Sequence, residues 1–275
     1  MERNCLERTG ILVMTAKKLT LIAGPDPIEN EEMAMQVAGE LKRITDKLGI
    51  NYIFKGSFDK ANRSSVHSKR GLGMDETFQI LKKIKDTYNV PVTTDIHESY
   101  QAELVAPYVD IIQIPAFLFR QTDLLVAAAK TGKTVNVKKG QFAAPWDMQN
   151  AITKLEEAGA SDIWLTERGT TFGYNRLVVD YTGLLYMQTL NKPVVFDVTH
   201  AVQQPGGLGE SSGGNRDYVP SLAKAAVAMG IDHLFLEVHP DPDNAWTDGP
   251  NQLKLEAAEK VLTELVTIFN TVNEF

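Results

Sequence analysis

NEEMAMQVAGELKRITDKLGINYIFK, residues 30–55, holds the pattern that decides the fold: an amphipathic stretch, a glycine, and a short apolar run that closes on a charge. Met33, Val37, Leu41, Ile44 and Leu48 recur at helical spacing. Gly49 then supplies a residue that accepts the left-handed conformation ending a helix, and residues 52–55 read as a strand ending on Lys55. The same unit recurs along the chain. Short runs rich in Val, Ile, Leu or Phe lie at 19–23, 52–55, 92–95, 111–113, 134–138, 163–167, 194–197 and 234–237. They largely lack polar alternation, which suits strands of a parallel sheet buried on both faces.

Between the runs, residues 75–88 repeat the helical spacing with Phe78, Leu81 and Ile84, and 253–269 closes the series as an eighth helix. Asp75 and Asp147 are expected N-caps, Pro220 fits a first helical turn, and Gly132, Gly159 and Gly230 follow helices as stops. Strand–helix alternation gives a closed barrel or an open doubly wound sheet. No G-x-G-x-x-G turn follows any strand, which argues against a dinucleotide-binding open sheet. The 275 residues fit one barrel of roughly 250, and no linker or composition shift divides them. The expected architecture is α/β, a single (β/α)8 TIM barrel over residues 19–275. Residues 1–18 are expected to be an N-terminal extension, a cap on the barrel bottom or a ragged start.

The formal net charge of −7 argues against a nucleic-acid or anionic-membrane partner, since both need broad positive surface. Residues 11–14 are too short an apolar stretch for a signal-peptide core or a membrane span. The single cysteine, Cys5, excludes an intramolecular disulfide and fits a reducing cytoplasm, the expected location.

Function concentrates where the runs end. Lys55, Asp95, Gln113, Lys138, Arg168, His200 and Glu237 close or closely follow seven of them, and Asp26 follows the first. One polar group at the carboxyl end of each strand is the layout of a barrel active site. Further cations stand at Lys60, Arg63, Lys69, Arg70, Lys139 and Arg176, so the mouth of an acidic protein is locally basic and suits a small substrate with two anionic groups. Solvated loop charge is the alternative for Lys69, Lys139 and Arg176. Asp26, His200, Glu237 and Asp248 follow strands 1, 7 and 8, which are neighbours in a closed ring, and could hold Mn2+, Mg2+ or Fe2+. Polar packing around His200 without metal is the alternative. His97 and His239 are expected at the mouth, His67 and His233 at the surface or in packing. The Gly/Ser-rich stretch 203–217 reads as a mobile loop closing over substrate, without the Gly-Lys-Ser/Thr of a Walker loop.

Several strings now carry a resemblance. Ile22-Ala-Gly-Pro-Asp-Pro-Ile-Glu29, Phe54-Lys-Gly-Ser-Phe-Asp-Lys-Ala-Asn-Arg-Ser-Ser65, Gln113-Ile-Pro-Ala-Phe-Leu118, Asn136-Val-Lys-Lys-Gly-Gln141, Glu167-Arg-Gly-Thr170 and His239-Pro-Asp-Pro-Asp243 stand in the order found in 3-deoxy-D-manno-octulosonate 8-phosphate synthases, which the chain resembles from about residue 20 to 255. Lys-Ala-Asn-Arg-Ser-Ser is the most specific of the motifs, because the sister 3-deoxy-D-arabino-heptulosonate 7-phosphate synthases have a Lys-Pro-Arg-Thr type sequence there. The resemblance implies condensation of phosphoenolpyruvate with arabinose 5-phosphate, with release of inorganic phosphate, on the route to lipopolysaccharide. It places Lys60, Lys138, Arg168 and nearby Gln113 at phosphoenolpyruvate. Asn62, Arg63 and Ser64 would hold the sugar phosphate, Lys55 and Asp95 would line the pocket near the reacting carbons, and Arg120 would arrive from a neighbouring subunit of a homotetramer. His200, Glu237 and Asp248 occur in both the metal-dependent and the metal-independent branch. The first branch has cysteine after Ala-Gly-Pro and the second has asparagine at that position, where this chain has Asp26. No metal is expected to be strictly required; Mn2+ or Mg2+ is the expected ion if the cluster binds one. A heptulosonate-type condensation, a divalent-metal aldolase and a silent phosphosugar-binding barrel are the alternatives.

Overall fold

The structure is a computed structural model that describes residues 17–207 and 212–274. The expected N-terminal extension lies almost wholly outside the described residues, and Cys5 lies there too. Eight parallel strands form the sheet: β1 (Thr20–Gly24), β2 (Asn51–Lys55), β3 (Val92–Asp95), β4 (Ile111–Ile114), β5 (Thr134–Lys138), β6 (Ile163–Glu167), β7 (Val194–Asp197) and β8 (His233–His239). They pair in chain order, and β8 pairs back onto β1 with Thr20 opposite His233 and Gly24 opposite Glu237, which closes the barrel. Closure excludes the open sheet.

The strands alternate inside and outside although their sequences do not alternate in polarity. Leu21, Ala23, Tyr52, Phe54, Leu234, Leu236 and Val238 join the large core between strands and helices. Their neighbours Ile22, Ile53, Ile111, Val195 and Phe235 form a small plug inside the barrel, with Trp164 packed against it. Because successive side chains point to opposite faces, the next inward position on each strand lies two residues on, one layer nearer the carboxyl ends. Those positions are Lys55, Gln113, Asp197 and Glu237, with Asp95 and Lys138 at the corresponding level of β3 and β5. An apolar plug with a charged layer above it is thus written into the strand period.

Helices α1 (Glu31–Leu48), α2 (Met74–Tyr88), α3 (Gln101–Val105), α4 (Thr122–Lys130), α5 (Met148–Glu157), α6 (Tyr181–Gln188), α7 (Val219–Ala228) and α8 (Leu255–Asn273) surround the strands. Asn30 caps α1 by accepting from the Met33 N–H at 2.8 Å, and Gly49, Gly132, Gly159 and Gly230 all have positive φ, as expected of helix stops. Pro220 lies in the first turn of α7. Two caps differ from expectation. Asp75 lies inside the first turn of α2, where its charge faces the helix N-terminus while Gly73 flanks the helix without a side-chain cap. Asp147 precedes α5 but turns its carboxylate to the Ala144 N–H at 3.1 Å, steadying the preceding turn of 3-10 helix. Of the Gly/Ser-rich stretch, Gln203–Gln204 pair antiparallel with Gly213–Gly214, so its described ends form a hairpin base. Among the described residues no helix is long and apolar enough to cross a membrane.

Candidate active site

A cavity of about 380 Å³ opens at the carboxyl ends of the strands. Asp26, Lys60, Asn62, Arg63, Ser64, Asp95, Gln113, Lys138, Arg168, His200 and Asp248 line it, so most of the residues singled out in the sequence meet at one place. Of the residues assigned to substrate or metal, three do not line it. Lys55 is completely buried one layer below, Glu237 is likewise buried beneath the rim, and Arg120 points to solvent. The expectation that Lys55 faces the substrate therefore needs correction: it supports the cavity from below.

The floor is a network of opposite charges. Lys55 Nζ lies 2.6 Å from Ser57 Oγ, 3.0 Å from Asp95 Oδ1 and 3.3 Å from Asp26 Oδ2. Lys60 Nζ donates to Asp26 Oδ2 at 2.6 Å and stands 3.6 Å from Glu237 Oε1. Ser57 also donates to Asp95, and His97 Nε2 lies 3.3 Å from the other Asp95 oxygen. Burial opposes ionisation of Asp26, but the Lys55 and Lys60 ammoniums outweigh it and hold that carboxyl well below the usual range. The same contest on Asp95, with Lys55 and His97 opposing burial, again favours the carboxylate. Glu237 goes the other way. Burial, reinforced by the Asp26 and Asp248 charges, outweighs Lys60 and raises its carboxyl well above the ordinary value.

The opposite wall is built on Asp197. Its Oδ2 lies 2.6 Å from Lys138 Nζ and 2.8 Å from His200 Nδ1, while Oδ1 accepts from the His200 backbone N–H at 3.0 Å. Burial would raise the Asp197 carboxyl, yet His200 and Lys138 pull it far down. Lys138 also sits over the Phe235 ring, 3.9 Å from its centroid, so the barrel plug supports the cation from below. Burial lowers the His200 imidazole below its usual value against the pull of Asp197, which favours the neutral ring, with Nε2 standing 3.5 Å from Glu237 Oε1. Arg168 donates to Gln203 Oε1 at 2.9 Å, and Gln203 Nε2 donates to Asp248 Oδ1 at 2.8 Å.

Several contributors escaped the sequence reading. Asp197, not His200 three residues later, is the inward polar residue that ends β7, at the parity set by Val195 of the apolar plug. Ser57 lies within the Phe54–Ser65 string and Gln203 opens the Gly/Ser-rich stretch 203–217, but nothing in either stretch singles it out. Lys139 is not a mouth cation at all: it is fully buried, 3.4 Å from Glu167 Oε2 and 3.1 Å from the Ala143 carbonyl. Glu167 in turn accepts from the Arg168 and Gly169 N–H groups at 3.0 and 2.7 Å, so this ion pair fixes the backbone that presents Arg168. Lys69 and Arg176 are exposed, Lys69 over the Trp246 ring. His97 lines the mouth, while His239 is buried beside Glu29 at 3.4 Å. His67 is exposed and His233 is paired with Asp232.

His200, Glu237 and Asp248 offer donor atoms all within 4.8 Å of one another, and both Glu237 oxygens are buried without a hydrogen-bond partner among the described residues. That trio fits a hard divalent ion. Asp26, the expected fourth donor, is not part of it: its Oδ2 is held by Lys60 and Lys55, while its Oδ1 is buried without a hydrogen-bond partner among the described residues.

The depressed Asp95 carboxyl sets a pH dependence. Its folded value lies below the unfolded one, so its contribution is full above about pH 5 and is lost as pH falls toward the folded value. Asp95→Asn should cost about 3–5 kcal/mol at pH 7, where it strands Lys55. The gap from wild type should narrow by pH 3.5. Urea midpoints at the two pH values check this, and a gap that stays constant or widens contradicts it.

Comparison with known proteins agrees with this geometry. The model of the DAHP synthetase I family matches residues 6–273. A 2-dehydro-3-deoxyphosphooctonate aldolase of Cyanothece sp. is 58% identical over 248 residues, 90% of this chain and 91% of the relative. Its counterpart in Fusobacterium nucleatum is 55% identical over 262 residues, 95% and 94% of the two chains, and that in Rickettsia bellii is 59% identical over 246 residues, 90% of each. With a closed barrel, a cationic mouth and matches over nine-tenths of its length, the chain belongs to the DAHP synthetase I family, alongside the 2-dehydro-3-deoxyphosphooctonate aldolases.

Proposed function

We infer that the protein condenses phosphoenolpyruvate with D-arabinose 5-phosphate and water to give 3-deoxy-D-manno-octulosonate 8-phosphate and inorganic phosphate, a step toward lipopolysaccharide. The observation that supports this reading is one cavity lined by two groups of cationic and hydrogen-bonding residues of the kinds that suit phosphate. Lys60, Lys138 and Arg168 stand on its inner walls, and Asn62, Arg63 and Ser64 stand on the loop after β2. The first group takes the phosphate and carboxylate of phosphoenolpyruvate, with Gln113 beside it; the second takes the sugar phosphate. Guanidinium–phosphate pairing makes Arg63 and Arg168 more exacting than lysines would be. Asn62-Arg63 favours the five-carbon sugar phosphate over the four-carbon substrate of the sister synthases.

In this reaction C3 of the enol attacks the sugar aldehyde, water adds at C2, and the tetrahedral intermediate expels phosphate by C–O cleavage. The enzyme aligns two anions that repel each other and stabilises charge on the aldehyde oxygen and at C2. Asp197 holds the Nδ1 side of His200, which leaves Nε2 to orient water or to take its proton. Lys55, Ser57 and Asp95 keep Asp26 and Lys60 in place from below.

No divalent ion is required on this reading. Asp26 stands where a thiolate or an amide stands in relatives, and its charge is balanced by Lys60, whose ammonium is also 3.6 Å from Glu237. Were an ion bound, His200, Glu237 and Asp248 would hold it, and it would act as a Lewis acid toward water or the aldehyde oxygen. The active form is proposed to be a homotetramer. Phe117 and Phe142 are exposed, and Arg120 is exposed and outside the lining of its own cavity, where it would serve a neighbour's sugar phosphate.

Phosphate release should be much faster with arabinose 5-phosphate than with erythrose 4-phosphate, and comparable rates would reject the assignment. Arg63→Ala should raise the Michaelis constant for the sugar in line with a lost charge-assisted contact of about 1.5–3 kcal/mol and leave that for phosphoenolpyruvate nearly unchanged. Sedimentation of the active enzyme should give a tetramer, with Arg120→Ala raising the Michaelis constant for the sugar; a fully active monomer would defeat the shared site.

A further inference from the structure

Gln203 stands between groups of opposite charge in the cavity wall. Its carbonyl oxygen accepts from Arg168 Nη2 at 2.9 Å and its amide nitrogen donates to Asp248 Oδ1 at 2.8 Å, so both ends of one neutral side chain are used. Arg168 is nearly buried, and its other terminal nitrogen, Nη1, is buried with no hydrogen-bond partner among the described residues. A guanidinium this close to a carboxylate would ordinarily pair with it, fork to fork, and use up its donors. Here the amide intervenes.

The backbone around Gln203 fixes that arrangement. Gln203 pairs with Gly214 across the hairpin base, and Asn251, three residues beyond Asp248, packs against the far strand of that hairpin and donates to the Gly213 carbonyl at 3.4 Å. The contact is so close that a Cβ on Gly214 would lie 1.5 Å from Asn251 Oδ1. The hairpin and the loop bearing Asp248 are therefore wedged together, and Glu167 fixes the backbone of Arg168 from the other side. Both partners of the amide are held on short tethers.

We propose that Gln203 is a positioning residue that holds Arg168 off Asp248 and so keeps Nη1 open for an anionic group of the substrate. This rests on the reading that Arg168 meets phosphoenolpyruvate. Without the amide, the guanidinium turns onto Asp248, and phosphoenolpyruvate must break an internal ion pair to bind.

Calorimetric titration of phosphoenolpyruvate into the full-length wild type, Gln203→Met, Gln203→Glu, Asp248→Asn and the Gln203→Met/Asp248→Asn double variant tests the spacer. Gln203→Met should weaken binding by about 10-fold, equivalent to about 1.4 kcal/mol. Gln203→Glu, which pairs with Arg168 directly, should weaken it at least as much. The double variant should bind substantially tighter than Gln203→Met alone, because Asp248→Asn removes the anion onto which Arg168 turns. The Michaelis constant for arabinose 5-phosphate should hardly move in the Gln203 variants. Wild-type affinity in both Gln203→Met and Gln203→Glu, or an equal loss in Gln203→Met and the double variant, would overturn the spacer role while leaving the functional reading intact. A wild type that does not bind phosphoenolpyruvate would overturn both.

Discussion

Two ammonium groups buried against two carboxylates at the floor of the cavity are the constraint on which the site depends. Lys55 and Lys60 are removed from water, and an unpaired buried ammonium costs several kcal/mol, so Asp26 and Asp95 must stand where they do. The partners come from β2, β3 and the loops after β1 and β2, so the network forms only when those strands are in register and the ring is closed onto β8. Closure brings Glu237 opposite Gly24, within reach of Lys60. The charged floor thus makes catalysis and correct barrel assembly depend on the same contacts.

The division of charge by depth follows from this. Carboxylates that balance lysines lie at or below the floor, while Arg63, Lys138 and Arg168 line the cavity. A protein with a net charge of −7 can then draw in a doubly anionic substrate, because what the substrate meets is local. Lys138 illustrates the balance: Asp197 neutralises it from one side at 2.6 Å, Phe235 supports it from below, and its remaining donors face the opening.

The fold was legible because helix stops, strand lengths and the absence of a nucleotide-binding turn all agreed. Each expected strand end lies within one residue of the observed one except the carboxyl end of β8, which runs two residues further, to His239. Less legible was which polar residue faces inward. The strands are apolar on both sides, so polarity hides their alternation, and only the apolar plug at Ile53, Ile111, Val195 and Phe235 reveals the inward parity that singles out Asp197. Depth was also hidden. Nothing in Lys55 or Lys139 as letters distinguishes a buried structural cation from one that meets substrate, because partners such as Ser57 and Glu167 become neighbours only through the fold. Asp26 resembled a fourth metal donor beside His200, Glu237 and Asp248; in the fold those three gather without it, and one of its oxygens pairs with Lys60.

We propose that this pairing balances the Asp26 charge with an ammonium and that turnover needs no divalent ion. Metal analysis of the purified enzyme, combined with a phosphate-release assay before and after exhaustive chelation, tests it most directly. The account predicts metal well below one per chain and a rate unchanged by chelator. A tightly held stoichiometric metal, with activity lost on its removal and regained on adding Mn2+ or Mg2+, would contradict it.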